Sequence, residues 1–181
     1  MRVRRSVSFL LFMLLVIPAG VAARPQKAAG STPAKEVILK PAEIADKLLP
    51  EKVIFRGQIA PVQGRNSGGV KFADGFFVLA ALVDNSGYST GIREKYQAYL
   101  ITEVPIEIGG QTLKPGAYGC GFLEGNKFIV MDLGANDQFT VASTKDAEIK
   151  HPVPLQIVAG ATAGNYRLYH GRDYVEFQRS K

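Results

Sequence analysis

The stretch from Val104 to Val141 constrains this chain most, because three turn signals fall within it: Gly109-Gly110, Lys114-Pro115-Gly116-Ala117 and Leu123-Glu124-Gly125-Asn126. Each lies between short runs rich in β-branched and aromatic residues, which is the spacing of antiparallel strands joined by tight hairpins. Pro115 presets φ for the first central position of a turn, and Gly116 accepts the positive φ that a type II turn needs at the second. The expectation is a β meander that forms the core sheet. The fold class that follows is mostly β, an antiparallel β-sandwich with one short N-terminal helix, a small β-barrel being the alternative.

The same rules divide the rest of the chain. Pro41 suits a first helical position, Ile44, Ala45, Leu48 and Leu49 cluster on one face, and Pro50 stops the run, so Lys40 to Leu49 reads as the helix. Val53 to Ile59 reads as a strand and Gln63 to Gly69 as a turn-rich loop. Asp74-Gly75 marks a hairpin, and Phe76 to Val83 (FFVLAALV) is apolar without alternation, as in a central strand covered on both faces. A strand is expected from about Tyr96, with Pro105 implying an edge or a bulge. A polar connection from Ser143 to Pro154 precedes strands at 155–159, 166–169 and 174–177, the last two forming a hairpin around His170-Gly171-Arg172-Asp173.

Within Tyr118-Gly-Cys-Gly-Phe122, alternation places Tyr118, Cys120 and Phe122 on one face and the two glycines on the other. Cys120, the single cysteine of the chain, is read as a buried small hydrophobe that cannot form an internal disulfide; pairing between chains stays open. The glycine face lets a bulky ring or another backbone approach the sheet closely.

At the N-terminus, Arg2, Arg4 and Arg5 precede the apolar run Val7 to Ile17, and small residues follow to Ala23. This is the pattern of a secretory signal peptide over residues 1–23, with a flexible linker at 24–36 and one β domain at 37–181. The expected location is periplasmic or extracellular. The chain carries a formal +6, but the leader holds three of those charges and Arg24, Lys27 and Lys35 of the linker the other three. From Glu36 onward the charges balance, so the basic total is no argument for nucleic acid. No later run approaches the length of a transmembrane helix, so no membrane anchor is expected.

The order Val-x-Ile-x-Ile-Gly-Gly-x-x-Leu-x-Pro-Gly-x-Tyr, from Val104 to Tyr118, resembles a hairpin of bacterial secreted β-sandwich proteins of unknown function. The resemblance implies a sandwich and export without implying an activity.

Candidate chemistry is sparse. Gly87-Tyr88-Ser89-Thr90-Gly91 matches the G-x-S-x-G elbow of α/β-hydrolases, with Asp132 or Asp137 and then His151 or His170 in the required order. That fold needs parallel strands, whereas the sequence after Tyr96 runs hairpin after hairpin. Asp132 to Asp137 gathers oxygen ligands around a turn without the ligand alternation of a calcium loop, and the two histidines make no zinc pattern. No metal and no cofactor are expected. Tyrosines cluster around two loops, and a tyrosine offers a flat apolar face with a polar tip. The residues proposed to touch a ligand are therefore Asp84, Tyr88, Ser89 and Arg93, on a projecting loop from Asp84 to Lys95, with Tyr169 and Arg172 at the last hairpin. The expected function is non-catalytic binding or envelope interaction, the partner being an envelope protein, a peptide or a polysaccharide. Two other readings stay open: a small serine hydrolase using Ser89, and a barrel enclosing an apolar small molecule.

Overall fold

The structure, a computed structural model, describes residues 35–45 and 47–180. The expected leader, residues 1–23, and most of the expected linker lie outside the described residues. What is described is two open antiparallel sheets packed face to face, a β-sandwich. The elements run β1 Val37–Leu39, α1 Pro41–Ile44, β2 Lys52–Phe55, β3 Gln58–Lys71, β4 Phe77–Val83, α2 Thr90–Lys95, β5 Ala98–Thr102, β6 Ile106–Ile108, β7 Gln111–Leu113, β8 Gly116–Leu123, β9 Lys127–Met131, β10 Asp137–Ala142, β11 Thr144–Lys145, β12 Leu155–Ala159, β13 Asn165–His170 and β14 Asp173–Arg179.

The larger sheet has the order β1-β3-β4-β5-β8-β9-β10, with β2 also on β3. The smaller has the order β12-β13-β14-β6-β7, with β11 also on β14. Three connections cross between the sheets. The chain leaves the larger sheet after Thr102, forms the β6–β7 hairpin in the smaller one, and returns at Gly116; it crosses again at the buried Ser143. The meander is thus shared between the sheets instead of forming one core sheet. Pro105 sits at the first crossing, where its carbonyl accepts from the Ser180 N–H at 2.9 Å.

This division also changes what Lys114-Pro115-Gly116 does. It joins strands of different sheets, and Gly116 does not take the left-handed conformation expected of it. Its missing side chain instead admits Tyr118, whose Oη would lie 3.1 Å from an added Cβ. The Tyr118 hydroxyl donates to the Lys114 carbonyl at 2.9 Å. A tyrosine bonded back to the main chain a few residues upstream at a strand corner is a tyrosine corner, a recurrent lock of sandwich folds. By contrast Gly109 and Gly110 have φ of 55° and 81°, as a two-residue type I′ hairpin demands.

Apolar residues on the facing sides of the two sheets fill the sandwich. Val78, Ala80, Leu100, Cys120, Phe128 and Val130 of the larger sheet meet Ile106, Ile157, Leu168, Val175 and Phe177 of the smaller. A void there, between Cys120, Leu155 and Leu168, is about 10 Å³, room for no more than a water. A second core covers the opposite face of the larger sheet, where Leu79, Ala81, Val83, Tyr99, Ile129 and Met131 lie under Ile44, Phe55, Tyr88 and Tyr96. Within FFVLAALV the strand Phe77–Val83 lacks alternation because both of its faces are covered, while Phe76, ahead of the strand, is exposed.

The glycine face of β8 is used both ways open to it. A Cβ on Gly119 would sit 2.5 Å from the Phe55 ring, and one on Gly121 would sit 2.3 Å from the Lys95 carbonyl oxygen. Phe55 and Tyr96 stack at 3.7 Å directly over Gly119.

Three local expectations are corrected. The helix is only one turn, because Ala45 leaves it with extended backbone (ψ 142°) to pack against Gly64. The strand expected over Val53 to Ile59 is a hairpin, turned by Arg56 and Gly57 at φ 49° and 74°. The loop expected at Gln63 to Gly69 is part of β3, whose register against β4 jumps from Gln63 to Ser67. The intervening excursion bonds to itself, Ser67 Oγ donating to the Gly64 carbonyl at 2.7 Å.

Candidate functional site

The loop from Asp84 to Lys95 joins β4 to β5 and contains α2. Asp84 opens it as a turn residue, its Oδ1 accepting from the Ser86 N–H at 3.0 Å, and the hydrogen bonds from Ser86 hold its carboxyl below the ordinary value. Tyr88 does not project. Its ring is buried edge-on against Phe55 and Tyr96, and its hydroxyl lies 3.0 Å from the Phe55 carbonyl and 2.9 Å from that of Gln58. It holds the β2–β3 turn down on the larger sheet. A tyrosine after a glycine reads as exposed only when the flap that covers it is unknown. Ser89 and Arg93 are exposed, Ser89 at the N-cap of α2, where its side chain makes no capping hydrogen bond.

Nothing in the described residues assembles a base around Ser89. β4 and β5, which flank it, are antiparallel neighbours. His170 lies half-buried, stacked on Phe122 at 6.0 Å, and burial lowers its pKa. His151 is exposed in the connection before β12. Asp132 is occupied by its own turn, its Oδ1 accepting from the Gly134 and Asn136 N–H groups at 2.9 Å each, and Asp137 pairs with Lys95 at 2.8 Å.

Tyr169 and Arg172 belong to the other sheet. Tyr169 is buried, and its hydroxyl donates to Asp146 Oδ2 at 2.8 Å. Arg172 donates to the Ala147 carbonyl at 3.2 Å. Both fasten the connection after β11 to the last hairpin. The six residues proposed from the sequence therefore form no single site, four lying on a connection of the larger sheet and two at one end of the smaller.

A different surface stands out. The outer face of the smaller sheet has no second core over it. Antiparallel register sets its side chains in rows: Tyr169, Tyr174 and Thr144; then Arg167 and Glu176; then Asn165, Gln178, Glu107 and Thr112. Arg167 lies 4.6 Å over the Tyr174 ring and bonds Glu176 through Nε at 2.9 Å. The middle row is short because β6 and β11 share one edge of β14 and leave a gap between them. An open groove of about 390 Å³ occupies that gap, lined by residues that include Glu107, Gly109, Gly110, Thr144, Tyr174, Glu176 and Gln178.

Alternation in Asn165–His170 and Asp173–Arg179 makes Arg167, Tyr174 and Glu176 readable as a set on one outward face, the first two half-buried and Glu176 exposed. Glu107 and Thr144 come from strands far away in the chain, and no local signal places them there.

No three metal-ligating side chains gather among the described residues, and no described helix is long and apolar enough to cross a membrane. Comparison with protein-family models, with curated proteins and with solved structures finds no match to this chain.

Proposed function

We propose that this protein is an exported, non-catalytic binding module that engages envelope material through the outer face of its smaller sheet. One observation carries the reading: the larger sheet is buried on both faces, whereas the smaller presents Arg167, Tyr174, Glu176, Gln178 and Glu107 on a face without a second core. Residues fixed by cross-strand pairing on a rigid sheet make a preorganised polar and aromatic surface, so little side-chain entropy is lost on binding. The leader-like pattern over residues 1–23 supports export, and the balanced charge from Glu36 onward favours hydrogen bonding over bulk electrostatics as the means of attachment.

The test is co-sedimentation of the exported chain with insoluble envelope material. Arg167→Ala combined with Tyr174→Ala should abolish it while leaving the circular dichroism spectrum unchanged. Ser89→Ala should bind as the parent does, and the parent should not react with a fluorophosphonate. Sedimentation that survives the double substitution, or fluorophosphonate labelling at Ser89, would refute the proposal.

A further inference from the structure

We infer that the groove between β6 and β11 is a binding site for one unit of a neutral saccharide. This deepens, and rests on, the reading of the smaller sheet as the binding face.

The main chain supplies the first element. The Asp146 N–H donates to the Arg172 carbonyl at 2.8 Å, and the Ser180 N–H donates to that of Pro105 at 2.9 Å. These bonds place the even-numbered residues of β14 with their peptide groups toward this edge, since antiparallel strands alternate the edge they address. Tyr174 is registered with Thr144 and Gln178 with Glu107. Glu176 falls between them, and neither strand is in register with it. Its N–H therefore points toward the groove at the position of β14 where neither strand registers, and a ligand oxygen entering the groove can accept from it.

The side chains define what kind of oxygen. No lysine or arginine lines the groove, so an anionic ligand meets no countercharge. Both carboxylates are already engaged, Glu176 by Arg167 at 2.9 Å and Glu107 by the Gln178 amide at 3.4 Å, which leaves no bare acidic pair to attract a cation. What remains is a mixture of acceptors and donors: the free carboxylate lone pairs, the Gln178 amide, the Thr144 hydroxyl and the Glu176 N–H. A sugar ring carries hydroxyls that donate and accept at once and therefore matches both kinds.

Shape separates this from a peptide. An extended peptide adds to a sheet along an open edge, pairing with alternate residues over several positions. Here Thr144 closes one side and the Gly109-Gly110 turn closes the other, so only one position of β14 is free. The volume of about 390 Å³ lies near the lower end of the range for small-ligand sites.

The exported chain, labelled with ¹⁵N, should be titrated with maltotetraose, cellotetraose and tri-N-acetylchitotriose, with a trigalacturonate and trilysine as charged controls. The expected result is a saturable shift of the Glu176 amide with at least one neutral sugar and none with the charged probes. Thr144→Val with Gln178→Ala should weaken that sugar at least tenfold, and Ala142→Trp, which fills the groove from an exposed position, should abolish the shift. Tighter response to trilysine or trigalacturonate would overturn the saccharide assignment, as would the absence of any neutral-sugar shift. Were a sugar to move Arg167 and Tyr174 but neither Glu176 nor the Ala142→Trp variant's affinity, the groove would fall and the binding face would stand. Loss of envelope co-sedimentation in the Arg167→Ala, Tyr174→Ala double variant is the separate readout for that face.

Discussion

Gly119→Ala tests whether the outer face of the larger sheet is as tightly covered as described. The new methyl carbon would meet Phe55 Cε2 at 2.5 Å and Tyr96 Cδ2 at 2.8 Å. Ordinary carbon contacts lie at about 3.5–4.0 Å, so the ring must retreat by about 1 Å. It has little freedom to do so, because Phe55 and Tyr96 are fully buried and stacked on each other at 3.7 Å. Overpacking of this kind costs about 1–3 kcal/mol, and rigid rings on both sides put the change at the upper end. Replacing a strand glycine by alanine returns about 0.5–1 kcal/mol of backbone entropy. The net loss is about 2 kcal/mol, equivalent to about 4–8 °C in Tm for a domain of this size. Thermal melts followed by circular dichroism would measure it. Gly87→Ala is the control, since no atom lies within 4 Å of the added carbon, and it should change stability by less than about 0.5 kcal/mol. A Gly119→Ala protein melting within about 1 °C of the parent would refute the packing of the flap on β8.

Tyr88→Ala should destabilise the protein by about 3 kcal/mol in urea titrations, because it removes a buried ring from between Phe55 and Tyr96; a neutral result would return Tyr88 to the surface. Burial pushes the Cys120 thiol up to about 12, so native protein at pH 8 should react with iodoacetamide far more slowly than unfolded protein. Folded Cys120 keeps its proton where the unfolded thiol, at its ordinary 9.0, loses it. Its contribution to stability is therefore complete below about pH 9 and declines toward pH 12, by up to about 1.4 kcal/mol per pH unit. Comparing urea midpoints of the parent and Cys120→Ala across that window isolates the effect; a difference that does not change with pH would contradict it.

Local chemistry carried much of the fold. The unbroken apolarity of FFVLAALV announced two buried faces, and Gly119 and Gly121 announced close approach by a ring and a backbone, which are Phe55 and Lys95. Turn residues showed where strands end but not which sheet the next strand joins. Lys114-Pro115-Gly116 reads as a hairpin turn because the crossing between sheets is set by distant pairings, of β6 with β14 and β8 with β5. Arg56-Gly57 passed as strand because a non-glycine residue rarely leads a left-handed turn. The candidate site was less legible for the same reason. Tyr88 follows a glycine and precedes hydroxyl residues, as an exposed loop residue would, yet its partners Phe55 and Gln58 lie some thirty positions earlier. Alternation puts Arg167 on the outer face, but its significance depends on Glu176 and Tyr174 across the ladder.

The central claim, that the smaller sheet and not the Asp84–Lys95 loop meets the partner, is tested most directly by hydroxyl-radical footprinting of the protein with and without insoluble envelope material. Protection is expected at Tyr174 and in the peptide spanning residues 165–178, with the peptide spanning residues 84–95 modified equally in both samples. Protection confined to residues 84–95, with Tyr174 equally modified in both, would contradict the account.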